Sequence, residues 1–433
     1  MNEAVRKVLA HIDASREEMA EFALKLANTY APVGMEANAA HVIDEWYREH
    51  SFRSRVVNLV GQRANVVATL DGNGTGKSIL FNAHLDSEAS GHDYDTLMGG
   101  VPDPNKVGAW REDDRFFGHL MLNDRHAHVQ FMFAARAIRE SGIELGADIL
   151  LTSVAGETGQ APVDEYNGLE YEGKGFGSTF LVEHGMRADY AIVSETSDFA
   201  LCWHHCGANY YKITLSGYNM YTPRLKRGKT LREHPNAISQ AGPVINAIED
   251  WAVEFTERRS GQTPCGPVVP NAQIGAIRGG IPWRPNRSSP YCALYVDVRT
   301  LPGERVEDVT ADLRVALDKV GVDYRLELIM SKPGQLGVGI EPLADAIRSS
   351  YRAVRGGEPR AEAEQAVVSM WRDTNVFNRA GIPSINFGPS RGQADVQGRG
   401  YLTLDDLVDT AKMYALTALK LTNGLSDADL GLA

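Results

Sequence analysis

The stretch DILLTSVAGETGQ (residues 148–160) joins an apolar run, DILLTSV, to a bend of small residues that carries one acid, Glu157. An apolar run of this length, followed by glycines, predicts a buried strand. In α/β proteins, functional groups collect just beyond the carboxyl ends of such strands. Glu157 is therefore a candidate metal ligand or general base, and an ordinary loop acid is the alternative.

The same texture extends on both sides of this stretch. Two amphipathic helices are predicted at the N-terminus, where apolar residues recur three and four apart. Further strands are predicted at 64–70, 78–83, 190–194 and 383–388, and a closing helix from about residue 404. This alternation indicates an α/β domain with a mixed, mostly parallel sheet flanked by helices. The segment DGNGTGKS (71–78) lacks the first glycine of a phosphate loop, and we expect a hairpin-type turn there.

A second texture starts near residue 207. Its predicted elements are the strand NYYKITLSG (209–217), a helix over 236–257, the strand YCALYVDVRTLPG (291–303) and a helix near 305–319. These elements indicate a separate α+β unit over residues 207–331. We expect it to be inserted into a catalytic domain made of residues 1–206 and 332–433.

The acidic composition argues against binding to nucleic acid. The chain has 56 Asp and Glu against 44 Lys and Arg, a net charge of -12, and no basic stripe. We find neither a signal peptide nor an apolar stretch of membrane-spanning length, so we expect a cytoplasmic protein without membrane association. Four cysteines in 433 residues do not make a disulfide framework.

Four further polar side chains lie at predicted strand ends or just before a helix. His84 and Asp86 end one strand, Asp124 precedes a helix, and Glu195 ends another strand. Because parallel strands present their carboxyl ends at one rim, we expect these groups to converge. One imidazole with carboxylates suits Zn²⁺ or Mn²⁺, and the Asp86 carboxylate is expected to accept the second ring N–H of His84. The alternative is that each acid is an ordinary loop residue.

Five motifs, in this order and spacing, resemble those of the zinc aminoacylase and glutamate-carboxypeptidase family. They are NAHLDS (82–87), NDRHAHVQFMFAARAI (123–138), GETG (156–159), SET (194–196) and RDTNVFNRAGIPSINFGP (372–389). The resemblance implies a metal-dependent hydrolase acting on a C–N bond, with His84, Asp124 and Glu195 as ligands of one metal. It also implies that residues 207–331 are a lid and dimerisation domain, through which the chain forms at least a homodimer.

Three positions depart from that family's pattern. Gly156 stands where the family has its general-base glutamate, and Tyr221 stands where the family has a lid histidine that helps to hold the oxyanion. The last metal histidine is missing near Asp395. One metal position therefore keeps all its ligands, and we expect one divalent ion per chain, Mn²⁺ or Zn²⁺. Glu157 is then free to act as general base, supported by Asp86.

Such a site suits a substrate that stabilises negative charge by itself. We expect activated water to attack an activated aromatic amine and to release ammonia, with 5-nitroanthranilate, converted to 5-nitrosalicylate, as the specific candidate. A carboxylate-bearing substrate needs cations and a flat wall, and the candidates are Arg372, Arg284, Arg287, Tyr221 and His204.

Two alternatives stay open. One is an ordinary deacylase or dipeptidase acting on N-acyl amino acids or peptides, in which Asp395 substitutes for the missing metal histidine. The other is a binding protein that has lost catalysis. Against loss of the site, His84, Asp86, Asp124 and Glu195 are all present.

Overall fold

The structure is a computed structural model that describes residues 1–87, 108–390 and 394–432. Its helices are α1 (Glu3–Ala14), α2 (Arg16–Ala27), α3 (Ala37–Glu49), α4 (His126–Glu140), α5 (Phe176–Glu183), α6 (Ala237–Arg259), α7 (Val306–Asp318), α8 (Glu341–Arg355), α9 (Gln365–Ser369), α10 (Thr374–Arg379) and α11 (Leu404–Asn423). Short helical turns lie at Met121–Arg125, Leu169–Tyr171 and Thr222–Arg224.

The strands are β1 (Arg53–Asn58), β2 (Ala64–Leu70), β3 (Ile79–His84), β4 (Trp110–Glu112), β5 (Arg115–Phe117), β6 (Ile149–Val154), β7 (Tyr190–Val193), β8 (His204–His205), β9 (Gly207–Ser216), β10 (Gly261–Thr263), β11 (Gly266–Val268), β12 (Ala272–Gly279), β13 (Tyr291–Thr300), β14 (Tyr324–Lys332), β15 (Gln335–Leu336), β16 (Ser384–Asn386) and β17 (Tyr401–Thr403). The predicted strands and helices named above are present, with ends that differ by a few residues.

The larger sheet has the strand order β1-β2-β6-β3-β7-β16. Strands β6, β3, β7 and β16 run parallel, whereas β1 and β2 are antiparallel. Strand β3 is buried along its whole length, as expected for a central strand of a sheet flanked by helices. The main apolar core includes residues of β3, β6, α4 and α11. The predicted mixed, mostly parallel sheet is confirmed.

The expected hairpin-type turn at residues 71–78 is wrong. Strand β6, which comes later in the sequence, lies between β2 and β3, so these two strands do not pair. The backbone N–H groups of Asn73 and Gly76 donate instead to the carbonyl groups of Leu145 and Gly146, just before β6. The segment is a crossover between separated strands.

A second sheet, in the order β12-β13-β9-β14, is antiparallel throughout. It forms its own apolar core with α6 and α7. These elements lie between Gly207 and Lys332, the stretch expected to form the inserted unit. Strand β12 is an edge strand and exposes Ile277. No helix in the described part of the chain is long and apolar enough to cross a membrane.

Candidate active site

Three buried side chains converge at the carboxyl ends of β3 and β7. His84 is the last residue of β3, and Glu195 follows its parallel neighbour β7. Asp124 lies in the turn Met121–Arg125, where its φ of -133° and ψ of 48° leave the helical range just before α4 begins. One ligand atom from each of the three residues lies within 4.8 Å of the others. These three residues therefore lie together in the structure, as expected from their positions in the sequence.

The chemistry of this cluster fits a divalent metal ion. His84 Nε2, both Asp124 carboxylate oxygens and Glu195 Oε1 are buried and make no hydrogen bond with the described residues, and His84 Nε2 lies 3.5 Å from Asp124 Oδ2. Buried polar atoms are rarely left unpaired, so four such atoms in one place indicate that a cation belongs there. One imidazole and two carboxylates are a suitable donor set for Zn²⁺ or Mn²⁺.

Burial lowers the pKa of His84, but its acidic neighbours, Asp124 first, raise it to about 9, so a metal ion that binds here displaces a proton from the ring. Burial alone raises the pKa of Asp124, but the nearby His84 ring and the charge of His126 together hold that pKa below its ordinary value. Asp124 is therefore a carboxylate, the form that binds metals. The second oxygen of Glu195 contacts the guanidinium of Arg372.

Asp86 does not act as expected toward His84. The His84 Nδ1 atom lies 2.8 Å from the main-chain oxygen of Asp86 and 4.0 Å from its carboxylate. The carboxylate accepts the backbone N–H groups of Gly156, Glu157 and Thr158, at 2.6, 3.0 and 2.9 Å. It also accepts the Thr158 hydroxyl at 2.7 Å. The prediction of a carboxylate–histidine pair is wrong, because the carboxylate is occupied in fixing the bend that carries Glu157.

Glu157 is buried, at 4% exposure, beside the cluster but not in it. Its Oε1 has no hydrogen-bond partner among the described residues. Its backbone is fixed on both sides, because its N–H donates to Asp86 and its carbonyl accepts the N–H of Lys174 at 3.1 Å. The backbone of Glu157 is thus fixed, while one oxygen of its carboxylate stays uncommitted.

Gly156 occupies a position that a side chain cannot enter. Its φ is +74°, and a Cβ there would come within 2.1 Å of Arg63 Nη2. Arg63 is itself buried and held by Glu36, at 2.9 Å, and by the carbonyls of Leu169 and Glu172, both at 2.7 Å. The Arg63 guanidinium therefore occupies the space that a side chain at position 156 would need.

A cavity of about 210 Å³ adjoins Glu157. Its lining combines cations, aromatic surface and the turn before Asp124: His119, Asn123, Glu157, Thr158, Gly159, Lys174, Arg299, Met370, Trp371 and Arg372. Arg299 comes from β13 of the inserted unit, whereas Lys174 precedes α5. The cavity is thus bounded by both units, and its cationic wall can receive an anion.

Of the residues predicted to bind substrate, Arg372 lines this cavity and four do not. Arg284, Arg287 and Tyr221 are exposed on the inserted unit, where Arg287 donates to Asn219 at 2.8 Å. His204 Nδ1 lies 3.7 Å from the sulfur of Cys265.

Asp395, considered as a substitute ligand, binds Arg399 at 2.6 Å and is not in the ligand cluster. Sequence reasoning missed Lys174. Its only signal was a position in the irregular segment that follows the GETG bend.

Comparisons with known proteins agree with this architecture. Residues 228–325 match the peptidase dimerisation domain. The curated N-formyl-4-amino-5-aminomethyl-2-methylpyrimidine deformylase of Bacillus subtilis (strain 168) is 24% identical over 428 residues, which cover 90% of this chain and 91% of that protein.

Solved structures share the fold along nearly the whole chain. Human carnosine dipeptidase 1 has a TM-score of 0.68 and 13% identity, covering 96% of this chain and 99% of that chain. The dipeptidase Dug1p from Saccharomyces cerevisiae has a TM-score of 0.70 and 12% identity, covering 96% and 98%. The YXEP protein of Bacillus subtilis, a dinuclear metal-binding peptidase, has a TM-score of 0.60 and 13% identity, covering 95% and 100%.

Proposed function

We infer that this chain, a metal-dependent hydrolase of C–N bonds that resembles the zinc aminoacylase and glutamate-carboxypeptidase family, works with one divalent ion and with Glu157 as its general base. The observation that carries the proposal is the position of Glu157. It is buried, has an uncommitted oxygen and lines the cavity, while three other ligand atoms gather without it.

In this proposal, His84, Asp124 and Glu195 hold the ion. A divalent ion bound there would lower the pKa of a water molecule from 15.7 to about 7. Glu157 accepts a proton from the attacking water and passes it to the departing nitrogen. Asp86 is a positioning residue, since its carboxylate holds the backbone of the bend on which Glu157 sits.

The specific reaction proposed is the conversion of 5-nitroanthranilate to 5-nitrosalicylate. A C–O bond forms at the ring carbon that carries the amine, the C–N bond breaks, and ammonia leaves with a proton from Glu157. The nitro group para to the amine holds the negative charge that develops, so neither a second metal nor a lid histidine is needed. The cavity of about 210 Å³ is smaller than the roughly 300–1,000 Å³ of drug-sized ligand sites and suits a single ring.

The second candidate is hydrolysis of an amide in a small N-acyl compound. The curated relative favours it, because by name that protein removes a formyl group from an aminomethylpyrimidine. The same three ligands and Glu157 would serve, with the amine as leaving group. A second ion would be expected only in this case.

We also propose that the chain pairs through its inserted unit. The match to the peptidase dimerisation domain covers most of that unit. Its edge strand β12 exposes Ile277, at 54%, and one row of its backbone groups pairs with no other strand in the described part of the chain. Such edges are usually covered in the native assembly.

The test offers metal-loaded protein 5-nitroanthranilate beside N-formyl and N-acyl amines and measures ammonia and free amine. Release of ammonia from the nitroaromatic compound supports the first candidate, and release of amine or formate alone supports the second. Glu157→Gln should lower turnover by roughly 10²- to 10⁴-fold, the usual contribution of a positioned base. The control is Glu170→Gln, an exposed acid of the following segment, which should leave turnover unchanged.

A further inference from the structure

We propose that Lys174 is the residue that selects for a carboxylate on the substrate, by binding that carboxylate within the cavity that Glu157 lines. The proposal rests on the proposed function for the reaction that follows, but it concerns binding and is tested by binding alone. It adds a specificity-determining residue that lies outside the family motifs of this sequence.

The Lys174 ammonium is buried and isolated from acidic side chains in the described part of the chain. The residue is 7% exposed and lines the cavity, yet its side chain makes no hydrogen bond or ion pair with the residues that the structure describes. Its Nζ lies 5.8 Å from the centroid of the Trp371 ring. Burying an ammonium without a hydrogen-bonding anion is costly, so such a group indicates a ligand that supplies one.

Backbone hydrogen bonds fix the segment that carries Lys174. The backbone N–H of Lys174 donates to the Glu157 carbonyl, and those of Gly175 and Phe176 donate to the Gly156 carbonyl at 3.0 Å. The segment that carries the ammonium and the bend that carries Glu157 therefore form one unit. An anion bound by Lys174 would be held at a fixed distance from the general base, which is the requirement for selecting one orientation of a small substrate.

The two arginines that line the cavity each contact a carboxylate of the protein. Arg299 donates from Nε and Nη2 to Asp297, at 3.1 and 2.8 Å. Arg372 contacts the Glu195 carboxylate. Lys174 is thus the cation of this cavity with no acid bound directly to it among the described residues.

The charge balance favours a monoanion. Lys174 and Glu157 line the cavity with opposite charges. When Asp124 and Glu195 balance a divalent ion, the cavity lining keeps one net positive charge, shared between Lys174 and Arg372, and one negative charge on the ligand balances it. A dianion would meet uncompensated repulsion from Glu157. A planar carboxylate is therefore the expected ligand.

The experiment measures binding of benzoate and of uncharged benzamide to metal-loaded protein by calorimetry. Lys174→Met should weaken benzoate binding by roughly 10- to 100-fold, the value of one charge-assisted hydrogen bond, and leave benzamide binding unchanged. Lys174→Arg should retain most of the benzoate affinity. Lys332→Met is the matched control, because Lys332 pairs with Glu172 and does not line this cavity.

Equal benzoate affinity in the wild-type protein and Lys174→Met would overturn the proposal. So would a wild-type protein that binds benzamide as tightly as benzoate, or that binds neither. If Lys174→Met does not fold, as judged by its metal content and melting temperature, Lys174→Gln replaces it in the same comparison. Intact Lys174-dependent binding without turnover of any substrate would reject the proposed function and leave this inference standing.

Discussion

Replacing Gly156 by alanine should destabilise the protein severely, although only a methyl group is added. The new Cβ would lie 2.1 Å from Arg63 Nη2, 2.9 Å from the Phe176 Cβ and 3.0 Å from the Glu172 carbonyl oxygen. The backbone φ of +74° adds about 1–2 kcal/mol for a residue with a side chain. Moving Arg63 from Glu36 breaks a fully buried ion pair, which costs about 3–5 kcal/mol.

The two contributions amount to about 4–7 kcal/mol, a large part of the roughly 5–15 kcal/mol that stabilises a typical protein. The assay is thermal unfolding of metal-loaded protein followed by tryptophan fluorescence. At roughly 2–4 °C per kcal/mol for a sizeable domain, the midpoint should fall by at least about 8 °C. The midpoints of the variant and the wild-type protein are compared directly, because a chain with two apolar cores need not unfold in one step.

Gly159→Ala is the matched control for this prediction. It adds the same methyl group to the same bend, but the nearest atom there is the Tyr210 hydroxyl at 3.2 Å. Its midpoint should stay near that of the wild-type protein. If Gly156→Ala melts together with Gly159→Ala, the argument that Arg63 closes this position is refuted. A Gly156→Glu variant that folds normally and gains dipeptidase activity would refute it equally.

Three further predictions concern the bend and the inserted unit. Asp86→Asn should lower turnover at least about tenfold while the metal stays bound, because the Asp86 carboxylate supports the bend and His84 contacts only the main-chain oxygen of Asp86. Kinetics and metal analysis of the variant check this, and loss of the metal would contradict it. Thr158→Val removes one hydrogen bond to that carboxylate and should cost about 1.5–3 kcal/mol, seen as a lower unfolding midpoint; an unchanged midpoint would count against the network. Ile277→Lys on β12 should shift the protein toward the monomer in light scattering. Val315 is an exposed apolar residue on α7, and Val315→Lys should leave the mass unchanged, so identical masses for the two variants would oppose pairing through β12.

The three residues of the ligand cluster could be predicted from the sequence. His84 and Glu195 end parallel strands whose apolar runs are easily seen, and the topology of such sheets brings their ends together. Asp124 was predicted from its place just before a helix, and the structure puts it in an irregular turn and not at a strand end.

Other parts of the site depend on contacts that no local pattern encodes. A sequence does not tell whether His84 meets the side chain or the main chain of Asp86, since both lie within reach. Lys174 reaches the cavity through backbone hydrogen bonds between residues that are 13 or more positions apart. The exposure of Arg284 likewise follows from how the inserted unit folds, which its local sequence does not reveal.

Metal analysis of purified, metal-loaded protein tests the central claim most directly. We expect one divalent ion per chain in the wild-type protein and also in Glu157→Gln, and almost none in Glu195→Gln, because Glu195 belongs to the ligand cluster and Glu157 does not. Two ions per chain in the wild-type protein, or loss of the ion in Glu157→Gln, would contradict it.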